Sequence, residues 1–163
     1  MKTIRVPLTV AGIEQAIQEV ERYKAWLKEK TKSLLLRLAE RGVELASVNF
    51  ASAQYDGTRD VQCLFEDRGA NTVAVVAVGK TVLFIEFGSG IIHPDAHPDP
   101  VAAEYPHGSW SEGPEGKGHW DDPNGWYYAH GQKSYGNPAN MSLYRARTEL
   151  EREFEQIVRS VFV

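Results

Sequence analysis

The chain is poor in the residues that staple small proteins. Its 163 residues include one cysteine, Cys63, which rules out an internal disulfide framework and any zinc site built from several cysteines. Long apolar runs are also missing. None approaches the roughly 18 residues a membrane span needs, so no membrane partner is expected. Residues 1–10 lack the basic-then-apolar layout of a secretory signal, which sets the expectation of a soluble, cytoplasmic chain. Basic charge is in deficit: 18 Lys and Arg against 22 Asp and Glu leave a net charge of −4. That balance weighs against a nucleic-acid binder held by phosphate contacts. A chain of this length buries roughly 70% of its unfolded surface, so a single domain over 1–163 can hold its core without metal or disulfide.

Aliphatic residues are nearly absent from one stretch. Residues 93–138 hold seven of the eight prolines, all five histidines and three of the four tryptophans, with Val101 their only branched aliphatic. Seven acidic and two basic residues give the stretch a charge of −5, while the rest of the chain totals +1. Without aliphatic periodicity it reads as a long irregular insertion, and loops of that length are usually functional or disordered. Disordered tracts are poor in aromatics. This one carries Tyr105, Trp110, Trp120, Trp126, Tyr127, Tyr128 and Tyr135, so it is expected to order against something. Trp110, Trp120, Trp126 and Tyr127 are its candidate contact residues, since Trp and Tyr dominate interface energetics.

The remaining segments are periodic. Ile4, Val6, Leu8 and Val10 alternate with polar residues and Pro7, predicting a short strand at a sheet edge. From Ile13 the period lengthens: Ala16, Ile17, Val20, Leu27, Leu34, Leu35 and Leu38 fall mainly on one helical face, predicting a long helix over 13–41. Gly42 is expected to interrupt or bend it before residues 43–50 continue. Three strands are expected next, over 61–65, 72–78 and 82–87, with breaks at Asp67-Arg68-Gly69 and Gly79-Lys80 short enough for hairpins. The continuous apolar run at 82–87 suits a central strand. Asn137 as N-cap and Pro138 in the first turn predict a final helix, with Leu143, Leu150, Phe154, Ile157, Val158 and Val161 as its stripe. The fold class is therefore α+β: an antiparallel sheet of about four strands, packed by a long N-terminal helix and a C-terminal helix, with an irregular insertion at 93–138.

His93 and His97 are four apart, the spacing of a helical zinc pair, but Pro94 and Pro98 oppose a helix. A Pro-rich turn with polar His and Asp is the preferred reading, and no metal or other cofactor is expected. Glu86 closes an apolar run, where a carboxylate needs partners. Either its pKa is tuned for acid–base work, or backbone N–H groups or an arginine bind it and fix the turn at Gly88 and Gly90; the second is preferred. Lys24, Lys28 and Lys32 form a basic stripe at i, i+4 and i+8. Like charges at that spacing are slightly destabilising, so a solvated face competes with an acidic neighbour such as another copy's insertion. Cys63 reads as a small buried hydrophobe, and nothing forms a nucleophile elbow.

The run Phe84-Ile85-Glu86-Phe87-Gly88-Ser89-Gly90 resembles the F-I-E-F-G-T-G signature of a bacteriophage tail-component family, the neck or tail-completion proteins. Ser89 replaces the usual threonine and keeps the hydroxyl. Further likenesses follow in order along the chain: a long helix before the Gln54-Tyr55-Asp56-Gly57 turn, the pair Trp126-Tyr127 in a Gly/His-rich loop, and Gly136-Asn137-Pro138-Ala139 ahead of Met141, Tyr144 and Ala146. The resemblance implies a non-enzymatic virion part, assembled in the host cytoplasm, whose copies form a six- or twelve-fold ring where tail joins head or at the tail end. It implies head-completion and tail-tube or tail-terminator proteins as neighbours, and DNA that passes through without specific binding. Phe84, Glu86, Phe87, Gly88, Gly90, Pro138 and Ala139 are its motif residues. Lys24, Lys28 and Lys32 join the aromatics as candidate subunit contacts. Two other classes compete: a metal-dependent hydrolase using the histidine-rich loop, and a monomeric aromatic-lined binding module.

Overall fold

The computed structural model describes residues 5–53, 60–88 and 138–163, together with the short strands at 126–127 and 133–134. The architecture is α+β: a long N-terminal helix, a two-strand antiparallel sheet and a C-terminal helix. Helix α1 spans Val10–Ala51, 42 residues, or about 63 Å at 1.5 Å per residue. Thr9 opens it from extended backbone, its hydroxyl accepting the Gly12 N–H at 3.2 Å, as an N-cap does. The strand expected over 4–10 is thus replaced by a helix start. The Pro7 carbonyl accepts the Thr9 N–H at 2.8 Å, turning the chain into α1, and Val6, Leu8 and Val10 stay exposed. Alternation alone does not make a strand when no neighbour satisfies its backbone.

Gly42 does not break α1. It is buried, and a Cβ there would lie 2.8 Å from Val75 Cγ2 and 3.6 Å from Leu150 Cδ2. Glycine stands where the helix touches the sheet and the C-terminal helix together.

Strand β1, Gln62–Gly69, pairs antiparallel with β2, Thr72–Val78, placing Cys63 opposite Ala77 and Phe65 opposite Val75. The reversal falls at Ala70 and Asn71, with φ of 49° and 59°, the two left-handed residues that a type I′ hairpin demands. It was expected at Asp67-Arg68-Gly69. Those residues instead extend β1, with a register shift between Asp67 and Gly69 where Gly69 takes φ 71°.

Residues 82–87, expected as the central strand, form the short helix α2, Val82–Phe87. A brief apolar run looks the same for a buried strand and a buried helix. The deciding contacts lie outside it. Asp60 accepts the Lys80 N–H at 2.7 Å, the Thr81 N–H at 3.1 Å and the Thr81 hydroxyl, which fixes the turn leading into α2. Gly88, at φ 77°, ends it.

Strands β3, Trp126–Tyr127, and β4, Lys133–Ser134, form an antiparallel two-residue ladder inside the stretch expected to be irregular. Among the described residues, the expected sheet of about four strands is therefore two separate two-stranded pairs.

Helix α3, Ser142–Phe162, starts four residues past Pro138. The expected cap at Asn137 lies outside the described residues, and Pro138 precedes the helix instead of sitting in its first turn. Met141 occupies the N-cap position in left-handed backbone, φ 54°. The helix runs antiparallel to α1: Asn49 donates to the Ser142 carbonyl at one end, and Lys30 Nζ donates to the Val161 carbonyl at 2.6 Å at the other. Ala39, Gly42 and Ala46 of α1 and Ala146 of α3 are buried, so the backbones approach closely. Phe50, Ala53 and Ile85 centre the core, ringed by Val61, Cys63, Ala77, Val82 and Leu143.

Candidate functional site

Two of the segments that carry the family resemblance meet in space. Ile85 and Glu86, at the end of α2, accept the backbone N–H groups of Asn140 at 2.8 Å and Met141 at 3.1 Å. The Glu86 side chain is buried, 4% exposed. Its carboxylate accepts the Leu143 N–H at 2.8 Å on Oε2 and the Tyr144 N–H at 3.1 Å on Oε1. The first turn of a helix leaves its N–H groups without intrahelical partners, and Met141 offers no side-chain cap. Glu86 supplies the cap from a different element, with its negative charge at the positive end of the α3 dipole. Two of its donors belong to α3, while Gly90 lies outside the described residues. Asn49 Nδ2 reaches the Ser142 carbonyl at 3.0 Å, while Asn140 Nδ2 reaches the Asn49 carbonyl at 2.8 Å and Ser142 Oγ at 2.7 Å. Three helices are tied at one node.

Of the other motif residues, Ala139 and Gly88 are buried, Phe84 and Phe87 half-buried, and Pro138 exposed. At the opposite end of α3, the Lys30 ammonium on the Val161 carbonyl gives the helix a cation where its dipole favours one. Sequence reasoning missed Lys30, Asn49, Asn140 and Asp60. Asn140 had a legible signal, a capping residue type just ahead of an apolar helical stripe. Asn49, inside a long helix, had none.

Lys24, Lys28 and Lys32 are exposed along α1, and none pairs with a described acidic residue. Lys28 and Lys32 border a groove of about 220 Å³ between α1 and the hairpin tip, whose walls include Leu36, Phe65, Asp67 and Asn71. A second groove, of about 510 Å³, lies between α1 and α3 around Arg41, Asn49, Arg145 and Arg152. Its charges are largely spoken for. Arg41 holds Glu153 through two bonds of 2.7 Å and Glu44 through a third, which raises its own pKa and holds the Glu153 carboxyl below the usual range. Arg152 bonds Glu149 at 3.0 Å.

Gly90, His93, His97, Trp110 and Trp120 lie outside the described residues, as does the turn at 54–57, while Trp126 and Tyr127 form β3. Among the described residues no group of three His, Cys, Asp or Glu could hold a metal, and no helix is long and apolar enough to cross a membrane. Burial pushes the Cys63 thiol up from its usual range, against a smaller opposing pull from Ser47, which leaves little thiolate to react. Comparison with known protein families, with curated proteins and with solved structures gives no match to this chain.

Proposed function

We propose that the chain is a structural virion protein of a tailed phage or prophage, one subunit of an oligomeric ring at the head–tail junction or tail end. The observation that carries this reading is the node: residues 84–88 and 138–146, the parts of the chain that resemble the tail-component family, bind each other. Its polar groups are spent on holding helices. A carboxylate acting on substrate needs a lone pair within reach of it, whereas Glu86 is buried with both oxygens on backbone N–H groups. The role is scaffolding, without catalysis.

In the ring, Lys24, Lys28 and Lys32 face an acidic surface of the next copy, and Trp110, Trp120, Trp126 and Tyr127 serve further contacts between subunits or with head-completion and tail-tube or tail-terminator proteins. If the −5 of residues 93–138 faces the channel, it repels phosphate and lets DNA slide through unbound. Native mass spectrometry with and without chelator tests the proposal. A closed ring of six or twelve copies, unchanged by chelator, is the expected result. A monomer at high concentration that loses a stoichiometric metal to chelator would overturn it in favour of a metal-dependent hydrolase.

A further inference from the structure

Among the described residues, the apolar stripe of α1 outruns the elements that cover it. At the C-terminal end of α3, Phe162 packs edge-on against Trp26 of α1, ring centroids 5.9 Å apart. The hairpin tip meets α1 no earlier than Lys28 among the residues lining that groove. N-terminal to both, α1 runs on for about 24 Å over residues 10–25 at 1.5 Å per residue. Along this arm Ile13, Ile17 and Val20 remain 50%, 54% and 44% exposed, although they continue the face that is buried further along the helix. Single exposed apolar residues are ordinary, but a contiguous stripe marks a contact surface.

Charge divides along the same helix. From Val10 to Glu21 there are three acidic residues, Glu14, Glu19 and Glu21, and no basic one; from Arg22 to Lys32 there are five basic residues and one acidic. The groove beside Lys28 and Lys32 has a basic rim and, in Leu36 and Phe65, apolar walls 37% and 39% exposed. Among the described residues Asp67 is the one acidic residue lining it, and its Oδ1 already accepts the Gly69 N–H at 2.9 Å. Arm and groove are thus complementary in both respects. The arm cannot enter its own groove, because α1 is one unbroken helix and holds them apart.

We propose that the arm of one copy docks in the groove of the next, with Ile13 and Ile17 on Leu36 and Phe65 and with Glu14 and Glu21 beside Lys28 and Lys32. The contact joins two different surfaces of the same chain, so it is heterologous and propagates head to tail until it closes. It deepens the ring reading by naming the acidic surface that the lysine stripe meets as α1 of a neighbour, not residues 93–138.

The test mixes two variants of the full chain. Ile13→Asp/Ile17→Asp disables the arm, and Lys28→Glu/Lys32→Glu disables the groove; all four side chains are exposed, so helicity, and melting temperature at dilutions where wild type is dissociated, should stay at wild-type values. Each variant alone should self-associate about 100-fold more weakly than wild type, as expected when two hot-spot contacts are lost. Mixed together they should form a 1:1 pair and nothing larger, since one intact arm remains for one intact groove. Adding Glu14→Lys/Glu21→Lys to the groove variant should restore assembly. If both variants assemble like wild type, arm docking is wrong while the ring stands. If wild type is monomeric at high concentration, both readings fall. If only the groove variant loses assembly, the arm is not the occupant and the proposal is overturned in favour of residues 93–138.

Discussion

Replacing Glu86 by alanine tests the node most directly. The carboxylate accepts two N–H groups of α3 at 2.8 and 3.1 Å and is 4% exposed, so water cannot take its place without rearrangement. Loss of an N-cap costs about 1 kcal/mol, and a charge facing a partly buried helix terminus adds up to about 2 kcal/mol. Stranding buried donors costs about 1–3 kcal/mol, which overlaps the cap term and cannot simply be added to it. A total of about 3 kcal/mol follows. With a urea slope of about 2 kcal/mol per M, the unfolding midpoint should drop by about 1.5 M. Glu86→Gln keeps one acceptor oxygen but loses the charge and turns an NH2 toward a donor, so it should recover less than half of the loss. Hydrogen exchange supplies the local readout: the Leu143 and Tyr144 amides should exchange faster, while amides in the middle of α1 slow or speed only with global stability. A midpoint shift below about 0.3 M for Glu86→Ala, or unchanged exchange at those two amides, would refute the cap. The node would then be a consequence of packing, not a cause of it.

Three further outcomes follow from single contacts. Gly42→Ala should destabilise by about 1 kcal/mol: the helix gains about 1 kcal/mol of propensity, but overpacking costs about 1–3 kcal/mol where the new methyl lies 2.8 Å from the stiff Val75 side chain. Val75→Ala in the same chain should relieve that clash, which a double-mutant cycle in urea reads as a coupling. Stability should also fall on the acid side. Asp60, bound by the Thr81 hydroxyl and the Lys80 N–H, and Glu153, bound by Arg41, both lie below their ordinary pKa when folded. The unfolded chain then takes up protons first, so melting temperature should be flat above about pH 5 and decline as pH drops through the folded values. Asp60→Asn with Glu153→Gln should flatten that decline. Finally, Cys63 should react slowly with a thiol reagent at pH 8 in the native protein and at full rate in urea, because burial raises its pKa. Fast native labelling would show that β1 opens locally.

The long helix, the C-terminal helix and the pairing of 61–65 with 72–78 are legible because their apolar periods are long or β-rich, although the buried face of α1 is Ala39, Gly42, Ala46 and Phe50 and the expected stripe residues Ile13, Ile17, Val20 and Phe154 are exposed. The errors fall where a single hydrogen bond outweighs the pattern. Residues 82–87 read as a strand because nothing inside them reveals Asp60, about 20 residues earlier, fixing the turn that precedes them. Asn137-Pro138 reads as the start of α3 because Asn-Pro is a good local opening, whereas the cap that serves the helix comes from Glu86, more than 50 residues away. Residues 4–10 alternate, yet the Thr9 hydroxyl on the Gly12 N–H starts a helix there. Of the candidate site, the importance of Glu86 was visible as a carboxylate in an apolar run. Its partners were not, since backbone N–H groups leave no trace in sequence.

The two halves of α1 differ in what they present. Where the helix meets α3 and the sheet, it presents Ala39, Gly42 and Ala46, all buried, and close approach of backbones leaves room for little else. Ahead of Trp26 the same face carries Ile13, Ile17 and Val20, large and exposed. Extending an existing helix by four turns needs no new nucleus, so the arm can form without covering contacts. Its apolar side chains then add nothing to the stability of the isolated chain. They are costs of solubility unless a second surface covers them. On the docking proposal, stability and assembly rest on separate residues: Glu86→Ala should lower the unfolding midpoint without touching the arm, and Ile13→Asp/Ile17→Asp should disarm it while leaving the stability of the dissociated chain unchanged.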